Sequence, residues 1–129
     1  IAVSVPFDLA ASSKHLSRGF SRHYQSYLLR SMQLKFLKKT RLLGHFLPIK
    51  NISSLKSFRL FDDAITAPLH GFSGVDDYYK KTSCLNILPE INTNTLIIHA
   101  LDDPFLPPEA VPSKERLSEP TTLELSDHG

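Results

Sequence analysis

Residues 94–105, Asn-Thr-Leu-Ile-Ile-His-Ala-Leu-Asp-Asp-Pro-Phe, constrain the fold more than any other part of the chain. Thr95 to Ile98 is short, β-branched and uncharged, the pattern of a strand buried on both faces as in a parallel sheet. It runs into two carboxylates and a proline. A strand with no water on either side cannot solvate charge, so Asp102 and Asp103 belong at its carboxyl end, where the chain leaves the sheet. In open α/β sheets ligands bind at that end. Pro104 lacks an N–H and pushes Asp103 toward extended backbone, which fixes the exit angle of the carboxylate. An Asx turn after a strand is the competing reading.

The remaining elements follow from periodicity and punctuation. Residues 1–6 read as a second buried strand closed by Pro6, and a strand at the first residue predicts pairing partners outside the chain. Leu9 to Leu16 gives a short helical pattern that ends near Gly19. From Phe20 to Leu43 the apolar residues Phe20, Tyr24, Leu28, Met32 and Phe36 step by four, which predicts a long helix with that stripe buried. Gly44 suits its C-cap, and His45 to Lys50 is a loop around Pro48. Asn51 or Ser53 caps a short helix through Phe58, and Arg59 to Leu69 holds the acids Asp62 and Asp63. That pair suits general acid–base work, or else helix capping and a hold on Arg59. Val75 to Leu85 is helical, with Asp76 and Asp77 early and Lys80 and Lys81 late, as the helix dipole prefers. Tyr78 and Tyr79 are expected to pack between helices and core, with a substrate-lining role as the lesser alternative. Residues 106–118 are proline-rich loop with at most one helical turn, and Thr121 to Leu125 is a last strand that exits through Ser126-Asp127-His128-Gly129.

Charge separates sharply along the chain. Residues 1–60 carry eleven of the fifteen Lys and Arg and a single acid, Asp8; residues 61–129 carry twelve acids and four bases. A basic face toward nucleic acid, anionic lipid or an acidic substrate is one consequence; a basic layer packed on an acidic one is the other and is favoured. Hydrophobic content of 41% and a mean hydropathy of −0.14 fit one globular domain. No apolar run approaches the roughly 20 residues of a membrane span, and residues 1–5 lack the basic start of a signal peptide. Cys84 has no partner for an internal disulfide, which fits a reducing compartment and the expected cytoplasmic location; a half-buried core thiol is the expected role.

Six words come in fixed order: Pro6-Phe7-Asp8-Leu9, Gly19-Phe20-Ser21, Phe61 to Ala67 (FDDAITA), His70-Gly71-Phe72, Asp77-Tyr78-Tyr79 and Ile98 to Phe105 (IHALDDPF). Together the chain resembles the C-terminal half of the YheT-like hydrolases, a branch of the α/β-hydrolases related to the eukaryotic ABHD esterases. The resemblance implies an α/β fold of parallel strands with an inserted helical lid. Residues 1–6 and 93–105 would be strands, the latter ending in the acid loop, residues 9–90 mostly lid and helices, and 121–129 the last strand and start of the histidine turn. It also implies a Ser-Asp-His triad in which the Asp before Pro is the acid, at Asp103, acting on a small-molecule acyl ester with no metal or organic cofactor. No nucleic-acid partner is expected on this reading, and a membrane surface is admitted without being favoured.

The chemistry requires a serine on a G-x-S-x-G elbow, because serine becomes nucleophilic only when a histidine takes its proton and an acid fixes that histidine. Only Gly71-Phe72-Ser73-Gly74-Val75 comes near it. Its second glycine is one place early and no buried strand precedes it, so Ser73 is a decoy. In the family the histidine turn continues past His128 to the base, so His128 reads as a turn residue. His99 reads as a satisfied structural histidine, and His15, His23, His45 and His70 show no metal-ligand spacing. On this reading the chain alone lacks the nucleophile and the base and is inactive. The alternatives are a small basic module that binds anionic membrane or nucleic acid through residues 20–43, and a stand-alone interaction fragment.

Overall fold

The computed structural model describes residues 1–43 and 51–129, without the side chains of 41–43; the readings on Gly44 and on the 45–50 loop lie outside the described residues. Three parallel strands, β1 (Ala2–Val3), β2 (Thr95–Ala100) and β3 (Thr121–Ser126), form a sheet in the order β1-β2-β3. Ala2 pairs with Ile97, and β2 is in register with β3 from Thr95–Thr121 to Ala100–Ser126. β1 and β2 are therefore parallel neighbours, and the outer edges of β1 and β3 are unpaired among the described residues. Between β1 and β2 lie the helices α1 (Leu9–Leu16), α2 (Ser21–Leu43), α3 (Phe58–Phe61), α4 (Ala67–Leu69) and α5 (Val75–Thr82).

Local chemistry sets the helix starts. The Asp8 carboxylate accepts the Ala11 N–H at 2.9 Å and caps α1, and Ser57 Oγ accepts the Leu60 N–H at 3.2 Å and caps α3. Asn51 caps only a 3₁₀ turn, Ile52–Ser54, so the expected helix through Phe58 is two separate pieces. α3 passes without a break through a π-helical turn, Asp62–Thr66, into α4. Arg59 pairs with Asp76 at 2.7 Å and not with Asp62 or Asp63. Residues 106–118 contain two 3₁₀ turns, Pro108–Ala110 and Lys114–Arg116, where one was expected.

Two apolar cores result among the described residues. Under the sheet, Phe7, Leu88, Ile97, Leu106 and Leu123 pack together; burying a side chain of this size contributes about 1.5–3 kcal/mol. Among the helices, Leu29 of α2 packs with Phe61 and Ile65, flanked by Met32 and Phe36.

Two expectations about faces are corrected. Among the described residues the sheet is covered on one side: Ile97 and His99 are buried, whereas Val3 and Ile98, pointing the other way, are 65% and 36% exposed. Among the described side chains of α2 the buried ones are Gln25 and Leu29, while Tyr24 and, just ahead of the helix, Phe20 of the expected stripe are exposed. Four residues turn a helix by about 400°, so a stripe stepping by four drifts by about 40° per step. Over the four steps from Phe20 to Phe36 that carries it nearly halfway around the helix. Glutamines hold α2 instead: Gln25 Oε1 accepts the Phe58 N–H at 3.1 Å, and Gln33 Nε2 donates to the carbonyls of Ile52 (3.1 Å) and Leu55 (2.9 Å).

Candidate functional site

Because the strands are parallel, their carboxyl ends meet at one rim of the sheet. There Ser4 leaves β1, Asp102 and Asp103 leave β2, and His128 leaves β3. Ser4 adopts a positive φ of 50°, a conformation L-residues seldom take, and its N–H still donates to the Ile98 carbonyl at 3.0 Å.

The two acids face different partners. Asp103 Oδ1 accepts the Phe105 N–H at 2.7 Å, an Asx turn held by its own loop, and its N–H donates to the Ala100 carbonyl at 3.2 Å. Asp102 reaches across to the exit of β3, where its Oδ1 accepts the Gly129 N–H at 3.0 Å and its Oδ2 lies 3.3 Å from His128 Nδ1. Asp102 thus ties down a turn, and that turn belongs to β3 rather than to its own loop. His128 and Asp102 are largely solvent-exposed, so their pairing contributes little to stability.

Beside this rim lies a cavity of about 300 Å³. Leu9, Leu16, Phe58 and Phe105 give it apolar walls, and Ser13, Asp62, Tyr78 and Tyr79 add polar groups. A mostly apolar cavity with a few fixed polar groups is the usual form of a small-molecule site. The phenol of Tyr79 donates to Asp62 Oδ2 at 2.7 Å, and Thr66 Oγ1 donates to Asp62 Oδ1 at 2.7 Å. Burial, reinforced by the Asp62 carboxylate, pushes the Tyr79 phenol well above its ordinary pKa, with Ser13 pulling the other way; the phenol therefore remains a donor. Asp63 Oδ1 accepts the Val75 N–H at 2.9 Å at the start of α5. Neither acid is free for acid–base work in the way a paired reading requires: one holds a tyrosine, the other a helix end.

The other candidates resolve individually. Ser73 sits in the turn before α5, its N–H donating to Asp77 Oδ2 at 3.1 Å, far in kind from a strand-to-helix elbow. His99 is buried with its ring edge-on to Phe7, centroids 5.8 Å apart, but its Nδ1 has no hydrogen-bond partner among the described residues. The expected satisfied histidine is therefore unsatisfied on one nitrogen, because the covered face of the sheet offers it an aromatic ring. Cys84 is half-buried, and burial pushes its thiol pKa up, the condition of an inert structural cysteine. Sequence reasoning gave Tyr78, Tyr79 and Phe105 at most a lesser role, and missed Ser13 and Leu16 as cavity walls. The spacing of Ser13 and Leu16 on α1 is an ordinary helical one and signals nothing by itself.

A parallel sheet whose carboxyl rim gathers two carboxylates and a histidine beside an apolar cavity has the layout of an α/β protein built around a ligand site. No family model and no solved structure matches the chain significantly. Among curated proteins it is similar to YheT of Escherichia coli (strain K12), a name that carries esterase as a provisional designation, at 42% identity over 132 residues, covering 100% of this chain and 38% of that protein. It is also similar to the embryogenesis-associated protein EMB8 of Picea glauca, 30% identical over 95% of this chain and 28% of that protein. A monoacylglycerol lipase of Saccharomyces cerevisiae is 31% identical over 97% of this chain and 29% of its own length. The chain belongs to the YheT-like α/β-hydrolases. It spans between 28% and 38% of the length of these three relatives.

Proposed function

We propose that the chain is part of a cytoplasmic serine hydrolase that cleaves carboxylic esters, with Asp103 as the triad acid and the helices between β1 and β2 as its lid. In this reading a serine and a histidine outside the chain complete the triad. The serine oxygen attacks the ester carbonyl while the histidine takes its proton; the alcohol leaves with that proton, and water then hydrolyses the acyl-serine by the same route. Asp103 accepts the histidine's other N–H, fixing its tautomer and stabilising the cation. The chain alone, a partial α/β-hydrolase domain, is then inactive.

The observation that carries the reading is the pairing of roles on one loop. Asp103 spends Oδ1 on its own turn, while Oδ2 accepts no hydrogen bond among the described residues. The apolar cavity bordered by Phe105, two residues on, suits an acyl chain. The names of the curated relatives add esterase and lipase chemistry, and Cys84 as a lone thiol suits a reducing compartment. The test is ester hydrolysis by the full-length protein and its Asp103→Asn variant. Loss of the correct tautomer costs on the order of 10⁴ in kcat in the serine-protease precedent, so Asp103→Asn is expected to lose activity by orders of magnitude with an unchanged melting curve. Near-normal turnover would overturn the assignment.

A further inference from the structure

The helix α2 presents an unpaired basic and aromatic face. Ser21–Leu43 contains no acid. Its bases Arg22, Arg30, Lys35, Lys38 and Lys39 are all exposed, and none takes part in an ion pair among the described residues. Among the described residues the ion pair that joins the basic and acidic halves of the chain is Arg59–Asp76, outside α2.

Apolar side chains lie among these charges. Phe20, Tyr27 and Leu34 are 75%, 78% and 54% exposed. Tyr27 and Leu34 are seven residues apart in α2, nearly two full turns, and Phe20, seven before Tyr27 and immediately ahead of the helix, extends their line on the side opposite the buried Gln25 and Leu29. Arg30 and Lys38 fall on the same side of the helix, where long aliphatic stems lie along an apolar surface and the charged heads reach outward. The line also connects to the candidate site. Phe20 stacks edge-on against Tyr24, with centroids 5.8 Å apart, and Tyr24 packs on Phe105 at 5.5 Å. Phe105 borders the apolar cavity.

We propose that the outward face of α2 docks on an anionic lipid surface, with Phe20, Tyr27 and Leu34 entering the headgroup layer and Arg30 and Lys38 held on its phosphates. Charge complementarity selects an anionic partner, and the apolar line selects lipid over nucleic acid. Leu34 has no π-face for a base to stack on, and residues seven apart on a helix are separated by about 10 Å, too far for adjacent stacked bases. An interfacial helix needs both features found here, exposed aromatic and aliphatic groups and nearby lysine or arginine. The aromatic contacts from Phe20 through Tyr24 to Phe105 then set the cavity mouth beside the membrane, where acyl esters reside. This last step rests on the proposed ester hydrolysis; the docking itself does not.

The experiment is vesicle co-sedimentation of the full-length protein, using phosphatidylcholine vesicles with and without phosphatidylglycerol. Binding is expected to the anionic vesicles and to weaken steeply as salt rises, since the Debye length falls to about 10 Å at 0.1 M. Each basic residue near an anionic surface contributes about 1 kcal/mol, so Arg30→Gln with Lys38→Gln is expected to lose roughly 30-fold in partitioning. Phe20→Ser with Tyr27→Ser is expected to lose a similar factor with circular dichroism unchanged, because both side chains are on the surface. Both double variants are expected to hydrolyse a short water-soluble ester normally, and to lose turnover on an ester presented in anionic vesicles. Equal binding to neutral and anionic vesicles, no binding to either, or binding to single-stranded RNA that survives Phe20→Ser with Tyr27→Ser while vesicle binding is absent would overturn the proposal. If vesicles are bound as expected and no ester is cleaved, the docking stands and the hydrolase reading fails.

Discussion

Tyr79→Phe removes one oxygen and little else, which makes it a clean probe of the cavity wall. Tyr79 is buried, and its phenol donates to Asp62 Oδ2 at 2.7 Å at the start of the π-helical turn. A hydrogen bond to a charged group is worth about 1.5–3 kcal/mol net. Asp62 borders the cavity and keeps its bond from Thr66, so the carboxylate is not stranded when the phenol goes, and the loss falls at the low end, about 1.5 kcal/mol. A urea titration is expected to show a lower midpoint with an unchanged slope. In a double-mutant cycle with Asp62→Asn, most of that loss should appear as coupling between the two residues. The pH dependence has a definite sign. The folded phenol titrates above the ordinary 10.0 because burial disfavours the phenolate. The unfolded phenol therefore loses its proton first, so the contribution of Tyr79 is complete below pH 10 and is lost as pH rises beyond it toward the folded value. Tyr79→Phe should flatten part of that alkaline decline; the Tyr78 phenol and the Cys84 thiol, which burial also shifts upward, contribute to what remains. A loss under about 0.5 kcal/mol, additive behaviour with Asp62→Asn, or an identical alkaline decline in wild type and variant would refute the reasoning.

Asp102→Ala is expected to speed hydrogen exchange at the Gly129 N–H, measured by NMR, while moving the melting temperature little, because the pair with His128 is exposed; exchange unchanged from wild type would show that the 3.0 Å bond does not hold the turn. Its ester turnover is expected to fall far less than that of Asp103→Asn. His99→Leu is expected to leave stability unchanged or to raise it by about 1 kcal/mol in urea melts, since it removes a buried nitrogen that has no partner among the described residues; a loss larger than that would reveal a partner for Nδ1.

What the sequence made legible was decided by neighbours along the chain. β2 is readable because an apolar run ends in charge, α1 because Asp8 stands where a cap must stand, and α5 because its acids and bases sort along the dipole, with Lys81 reaching back to Asp77 at 2.7 Å. The failures concern faces, which are decided by distant contacts. The buried side of α2 is set by where Phe61 and Ile65 arrive, and two glutamines that look like surface residues supply its hydrogen bonds. Nothing local in the sequence distinguishes Gln25 from a solvated glutamine. The cavity was equally hidden, since its walls come from the exit of β1, from α1, α3 and α5, from the π-helical turn and from the acid loop.

The acid pair lies between these two cases. Consecutive residues leaving a strand point to roughly opposite sides, and that alone predicts that Asp102 and Asp103 do not share a partner. The structure bears this out: Asp102 reaches the turn that leaves β3, and Asp103 folds back onto the Phe105 N–H. The sequence does not show which neighbour each one meets, because that depends on β3 lying beside β2 in register, with Ala100 opposite Ser126. Once that register is formed, Asp102 sits beside the turn that starts at His128, and Asp103 is held by a loop of its own. The two identical side chains therefore divide into one that fixes the path of the neighbouring turn and one that keeps an oxygen available. A single acid at this position could not do both, because fixing the turn engages both carboxylate oxygens of Asp102.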